Sequence, residues 1–239
     1  MKFCGLIPVY NNVATVGDVV RRARSVLEPD VLVVADGSDD GSDEAARRAG
    51  AEVIVHPTNQ GKGRALITGL EAARERGYTH AVALDADGQH LPEEIPRLLD
   101  GAWAHPDRIV VGVRYMDAKN TPASSRRGRG VSNFWATLNG WQRCRDTQSG
   151  FRIYPVEPTL ALRCRERGFA FEMEVLVRAS WAGQRIHHVD VDVVYQGIGR
   201  VTHFDMKADN LRFSWLSFRM FFGMLVRSPL LLARALKRL

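Results

Sequence analysis

The chain has 239 residues, 45% hydrophobic and 25% charged, a composition that suits a soluble globular protein with a full core. Its net charge of +6 resides in residues 211–239, where Arg212, Arg219, Arg227, Arg234, Lys237 and Arg238 stand without a single acid, so the rest of the chain is balanced and lacks the basic face that nucleic-acid binding requires. Cys4, Cys144 and Cys164, an odd number without Cys-x-x-Cys spacing, argue against a disulfide framework and a structural zinc site and fit a reducing cytoplasm.

The N-terminal apolar run is short and broken by Pro8, too brief for a secretory signal, so the fold is expected to begin at Met1. Strand-length apolar runs then alternate with helical periodicity. Strand Phe3 to Val9 leads through Tyr10-Asn11-Asn12 into a helix over Val13 to Leu27. Strand Val31 to Ala35 ends in Asp36-Gly37-Ser38-Asp39-Asp40-Gly41-Ser42, before a helix over Asp40 to Ala49. Strand Glu52 to Val55 leads to Asn59-Gln60-Gly61-Lys62-Gly63-Arg64, a glycine-rich turn opening a helix over Gly63 to Arg76. Backbone N–H groups at such a helix start, with Lys62 beside them, favour a phosphate. Strand Thr79 to Leu84 ends in Asp85-Ala86-Asp87-Gly88-Gln89-His90; a helix over Glu93 to Ala104 and a strand over Arg108 to Val113 follow. This alternation predicts an α/β fold with a mainly parallel sheet covered on both faces, and ligands of such sheets gather at the carboxyl ends of the strands.

Asp85 and Asp87 are hard oxygen donors suited to Mg²⁺ or Mn²⁺, which one or two carboxylates hold while leaving positions for substrate phosphates. In an extended segment Asp85, Asp87 and Gln89 would point the same way and converge on one ion. The alternative is an acidic turn, since Asp-Gly is a common turn pair.

The second half is less regular. Thr121 to Gly130 reads as a flexible basic loop before a helix over Val131 to Trp141, and helix Phe171 to Ala182 and an alternating strand over Arg185 to Tyr195 follow. In the tail, the longest charge-free stretch is Met220 to Val226, far below the ~20 residues that span a bilayer. Arg212, Arg219, Arg227 and Arg234 recur along one stripe of an otherwise apolar, aromatic-rich helix, followed by Ser228-Pro229 and a second short helix. Such a pattern suits the plane of an anionic membrane surface; a helix packed on the domain or a dimer contact is the alternative. The expected partition is a catalytic domain over residues 1–205 and amphipathic membrane-surface helices over 206–239.

Five segments together, Ile-Pro-Val-Tyr-Asn (7–11), Asp-Gly-Ser-x-Asp-Gly-Ser (36–42), Asn-x-Gly-Lys-Gly (59–63), Asp-Ala-Asp-Gly-Gln-His (85–90) and Asp-Thr-Gln-Ser-Gly-Phe-Arg (146–152), resemble the family 2 glycosyltransferases of GT-A fold. The last points toward the dolichyl- or polyprenyl-phosphate mannose and glucose synthase branch. The resemblance covers about residues 3–205 and implies a UDP- or GDP-linked sugar donor, a divalent cation and an inverting transfer. It implies that Pro8, Tyr10 and Asp36 hold the base and ribose, and that Asp85 contacts the nucleotide and shares the metal with Asp87 and Gln89. Asn12 stands where many relatives carry Glu, and Ala35 replaces the first Asp of Asp-Asp-Gly-Ser; both touch the nucleotide pocket. Val201-Thr202-His203-Phe204 occupies the place of a mobile loop over the donor, with His203 either a ligand contact or a plain loop residue.

For the chemistry, Lys62 is a candidate phosphate contact, with Arg126, Arg127, Arg129 and Arg152 candidates for orienting a lipid phosphate. An alcohol acceptor would need a base, for which Asp146, Glu172 and Glu174 are candidates. The last two diverge on a helix, and Glu172 is preferred. The leading reading is transfer to a polyprenyl-phosphate acceptor at the cytoplasmic face of the plasma membrane. Transfer to a lipid hydroxyl or soluble alcohol, a nucleotidyltransferase, and a non-catalytic nucleotide-binding module are the rivals.

Overall fold

The computed structural model of the protein describes residues 1–27, 30–115, 123–194 and 206–236. Strands β1 (Phe3–Val9), β2 (Val31–Asp36), β3 (Glu52–His56), β4 (His80–Ala83), β5 (Ile109–Arg114), β6 (Arg152–Pro155) and β7 (Ile186–Val191) form one sheet in the order β3-β2-β1-β4-β6-β5-β7. All pairings are parallel except those of β6, which runs antiparallel between β4 and β5. The carboxyl ends of β1, β2, β4, β5 and β7 therefore share one edge.

Alternation along the central strands creates two cores. Cys4, Leu6, Leu32 and Val34 face α3 (Lys62–Glu75), α5 (Ala123–Gly140), α7 (Phe171–Trp181) and α8 (Met206–Leu236). Ile7, Val9, Val31 and Val33 face α1 (Val13–Leu27), α2 (Ser42–Arg48) and α4 (Ile95–Ala104). The short α6 (Val156–Ala161) follows β6 directly. This is the three-layer α/β/α arrangement that the strand–helix alternation predicts.

Four local expectations are corrected. Residues from Ala123 onward are not loop: α5 starts there and ends at Gly140, with Trp141 in a left-handed conformation at φ 52°. Tertiary bonds outweigh the weak local propensity: Ser132 and Asn133 on α5 bond Thr147 and the Arg145 carbonyl. β6 had no strand signal, being only four residues long and carrying Arg152 among apolar neighbours. β7 ends at Val191, short of the expected Tyr195, which with His203 lies outside the described residues. Ser228-Pro229 does not break the tail: α8 runs through it. Pro229 has no N–H for the Leu225 carbonyl four residues back, and Ser228 Oγ donates to that carbonyl at 2.8 Å instead. Among the described residues no helix is long and apolar enough to cross a membrane.

Candidate active site

The ends of β1 and β2 are tied by the polar residues that follow them. Ser38 Oγ accepts Asn11 N–H at 3.1 Å, Ser42 Oγ accepts Asn12 N–H at 2.8 Å, and Asp40 accepts Val13 N–H at 2.9 Å, capping α1. Asn12 turns its amide back onto the Tyr10 carbonyl at 3.0 Å. Tyr10 is partly exposed at the edge, whereas Pro8 is buried within β1 opposite Val34. The expectation that Pro8 meets a base or ribose is not met by its side chain, because β1 extends one residue past it and keeps it in the sheet.

Asp36, 3% exposed, accepts Gln60 N–H at 2.9 Å and Gly61 N–H at 2.7 Å and pairs with His56 Nδ1 at 2.6 Å. Both carboxylate oxygens thereby shape the glycine-rich loop. Gly61, at φ +95°, lies so close to the Arg167 carbonyl that a Cβ there would sit 2.5 Å from it, so only glycine lets this loop enter α3.

Lys62, at the start of α3, reaches across the edge and pairs with Asp85 Oδ1 and with Glu172 Oε1 of α7, each at 2.6 Å. Burial is the strongest single influence on this ammonium and depresses its pKa, but Asp85 and Glu172 together carry it above the ordinary lysine value. Burial likewise acts to raise Asp85, and Lys62 above all overcomes it, holding the carboxyl below its usual range. His90 Nε2 lies 3.7 Å from Asp85 Oδ2; burial pushes its pKa down to about 4, leaving the ring neutral, and its Nδ1 is buried without a hydrogen-bond partner.

The segment after Asp85 is a turn, not an extended run: Ala86 and Asp87 form it, Gly88 has φ 73°, and Asp87 Oδ1 accepts Gln89 N–H at 2.9 Å. The Asp-Gly pair decides the local conformation, so the converging alternation expected of Asp85, Asp87 and Gln89 does not occur. Among the described residues no three His, Cys, Asp or Glu side chains gather as a metal group. The two partly exposed carboxylates Asp85 and Asp87 are hard oxygen donors that fit a divalent cation completed by phosphate oxygens. Gly150 forms the wall behind Asp85, where a Cβ would stand 2.4 Å from Oδ2 and 2.5 Å from Oδ1. Gly150→Ala is therefore expected to displace the Asp85 carboxylate and cost about 1–3 kcal/mol of overpacking strain. Titration calorimetry with a nucleotide and Mn²⁺ would show weakened binding; unchanged affinity would mean that Asp85 has freedom the packing denies it.

Further along the edge, Asp146 is fully buried and accepts a two-point bond from Arg114, at 2.8 Å from Nε and 2.9 Å from Nη2, with Arg129 Nη1 3.5 Å away. Burial favours its neutral form, yet these arginines hold it below the carboxylate range. Arg129 also donates to the Arg114 carbonyl at 2.9 Å. Arg114, Tyr115, Arg129, Asn133, Arg143 and Arg145 line a cleft of about 410 Å³, cationic even after Asp146 and the Arg145 partner Asp190 are counted. Arg126 is partly exposed on the same helix, and the Arg127 side chain lies outside the described residues.

Arg152 does not reach this cleft. It is fully buried and donates to the carbonyls of Ser149 at 2.7 Å, Glu172 at 2.8 Å and Thr147 at 2.9 Å. The expected acceptor contact is replaced by a role in holding the 146–152 loop, because antiparallel β6 turns its side chain inward. Glu174 is equally internal, accepting the Arg165 and Glu166 N–H groups and pairing with Arg178 at 2.7 Å. Arg114, Arg143, Arg145 and His90 were missed by sequence reasoning. Arg114 was accessible to it, as the last residue of β5 on the same carboxyl edge as Asp36 and Asp85.

A doubly covered sheet whose carboxyl edge joins an Asp-x-Asp turn to a lysine-bearing glycine loop defines a glycosyltransferase of GT-A architecture. The chain belongs to glycosyl transferase family 2, whose family model matches residues 5–165. It is 32% identical over 210 residues to an undecaprenyl-phosphate mannosyltransferase of Micrococcus luteus, covering 83% of this chain and 86% of the relative. It is 29% identical to a polyprenol monophosphomannose synthase of Mycolicibacterium smegmatis, covering 81% and 78%. In fold it is similar to glucosyl-3-phosphoglycerate synthase of Mycobacterium tuberculosis crystallised with Mn²⁺, UDP-glucose and phosphoglyceric acid, with a TM-score of 0.71 at 18% identity over 93% of this chain and 79% of that one.

Proposed function

We propose that the protein transfers a sugar from a nucleoside-diphosphate donor to a polyprenyl phosphate at a membrane surface, with inversion at the anomeric carbon and with Mg²⁺ or Mn²⁺ bound. The observation that carries this reading is the adjacency of two sites of opposite charge on one edge: the carboxylate turn at Asp85 and Asp87, and the arginine cleft around Arg114 and Arg129. Arg114 belongs to both, since its charge helps to hold Asp85 ionised. The two polyprenyl-phosphate relatives support the acceptor class.

In this reading Tyr10, Asn12 and the loop braced by Asp36 receive the nucleoside, and Asp85 and Asp87 would hold the cation. The bound cation would supply positive charge to the diphosphate as it leaves. Lys62 keeps Asp85 charged and stands beside the diphosphate. Arg129 and Arg114, with Arg126 and Arg127 on the same helix, take the acceptor phosphate and turn one oxygen toward the anomeric carbon. That oxygen forms the new bond as the bond to the diphosphate breaks. A phosphate monoester is already anionic near neutral pH, so no proton need be removed; this agrees with Asp146 and Glu172 each being held by cations, as positioning residues. The catalytic unit is residues 1–205, and residues 206–239 rest on the cytoplasmic face of the membrane.

Calorimetry with UDP, GDP and their sugars, first with Mn²⁺ and then with EDTA, tests the donor site. Asp87→Ala is expected to abolish the metal-dependent part of binding, a loss of at least about tenfold, or ~1.4 kcal/mol, with the melting temperature unchanged. Wild-type affinity in that variant would remove Asp87 from the metal site.

A further inference from the structure

Helix α5 has two apolar faces where a buried amphipathic helix needs one. Ala136 lies in the core and Ser132 and Asn139 are buried beside it, while Val131, Phe134, Leu138 and Trp141 are exposed, Phe134 by 61%. Helix α8 repeats the pattern: Leu216, Met220 and Met224 are buried, while Trp215, Phe218, Phe222 and Leu225 are exposed, Trp215 by 61%. Val131, Phe134 and Leu138 on α5, like Trp215, Phe218, Phe222 and Leu225 on α8, follow helical spacing, so each set is a stripe along one helix face, and Trp141 stands just past the end of α5. The end of α5 meets α8 where Trp141 Nε1 donates to Met224 Sδ at 2.8 Å. Eight large apolar side chains on two neighbouring helices exceed the scattered exposure normal for a soluble surface.

We infer that α5 and α8 form one composite docking face for an anionic bilayer, and that α5 thereby fixes the orientation in which the protein meets it. The inference rests on the lipid-acceptor reading above and deepens it, since α8 alone could tether the protein in any orientation. Charge selects the occupant. Arg212 and Arg219 are exposed on α8 beside its apolar stripe, and residues 211–239 contain six cations and no acid. Anionic headgroups complement such a face. A second copy meeting it about a two-fold axis would bring cations against cations.

The test uses the full chain and vesicles of equal parts phosphatidylglycerol and phosphatidylcholine, read by co-sedimentation. Phe134→Glu and Leu138→Glu, both at exposed positions, are each expected to lower vesicle affinity at least about tenfold without changing the circular dichroism or nucleotide binding. Trp103→Glu, exposed on α4 across the sheet, is expected to leave it unchanged. Vesicle binding by both α5 variants at the wild-type level would overturn the inference. So would a wild-type dimer in sedimentation velocity, without lipid, that the α5 variants convert to monomers. In a Trp215→Phe background, brominated lipid should still quench tryptophan fluorescence through α5; loss of all quenching would also overturn the inference. Turnover of a short, water-soluble prenyl phosphate should survive both Glu substitutions. Absence of that turnover in the wild type would defeat the proposed function while leaving the vesicle result to decide the docking face.

Discussion

Lys62→Met is expected to destabilise the protein by about 3–5 kcal/mol, the range for removing one partner from a buried charge pair, and to eliminate donor binding. The ammonium stands between Asp85 and Glu172 at 2.6 Å from each, and Glu172 is only 5% exposed. Without it, two carboxylates share one pocket with no cation between them. The pH dependence identifies the cause. Asp85 has a folded pKa below its unfolded value, so its contribution is present above the unfolded value and is lost as pH falls through the folded one. In the variant that depression disappears and the stranded Asp85 takes up a proton more readily. The gap between wild type and variant should therefore be largest near neutral pH and narrow in acid. Thermal denaturation across that range measures it; a variant melting with the wild type at neutral pH would show that the pair contributes nothing.

Arg152→Met is the second large effect, expected at about 3 kcal/mol or more because several buried carbonyl acceptors lose a charged donor at once. Thr147, Ser149 and Glu172 all give their carbonyls to this one guanidinium. The consequence reaches the site: the 146–152 loop carries Gly150, which forms the wall behind Asp85, and Asp146, which grips Arg114. Donor affinity should fall together with stability. Arg152→Lys should restore little, since a single ammonium cannot reproduce a planar fork reaching three acceptors. Denaturant melts paired with nucleotide titration check this, and full rescue by lysine would mean that charge alone matters.

The two variants mark the division between what was legible in the chain and what was not. Lys62 and Asp85 were visible because each follows an apolar strand run, and the strand-end rule needs only local periodicity. Their partner Glu172, 110 residues from Lys62, was a candidate base and emerged as the second half of a charge clamp. Arg152 looked like an acceptor contact because it closes the Asp146 to Arg152 segment that carries the family resemblance, and a lipid phosphate calls for an arginine. Its burial follows from β6, a four-residue antiparallel strand inserted between two parallel neighbours, and nothing in four residues of mixed character announces such an insertion.

The sequence by itself determined the parallel sheet, the edge on which chemistry collects, the place of Asp85 at a strand end, the lysine loop and the uneven placement of charge, because hydrophobic periodicity and turn chemistry act over a few neighbouring residues. The tertiary structure alone decided that Ala123 to Gly130 is helical, that Arg114, Arg129, Arg143 and Arg145 form one cleft over Asp146, and that α5 presents a second apolar face beside α8. Each of these depends on contacts between segments far apart in the chain, and such contacts leave no periodic trace in either segment alone.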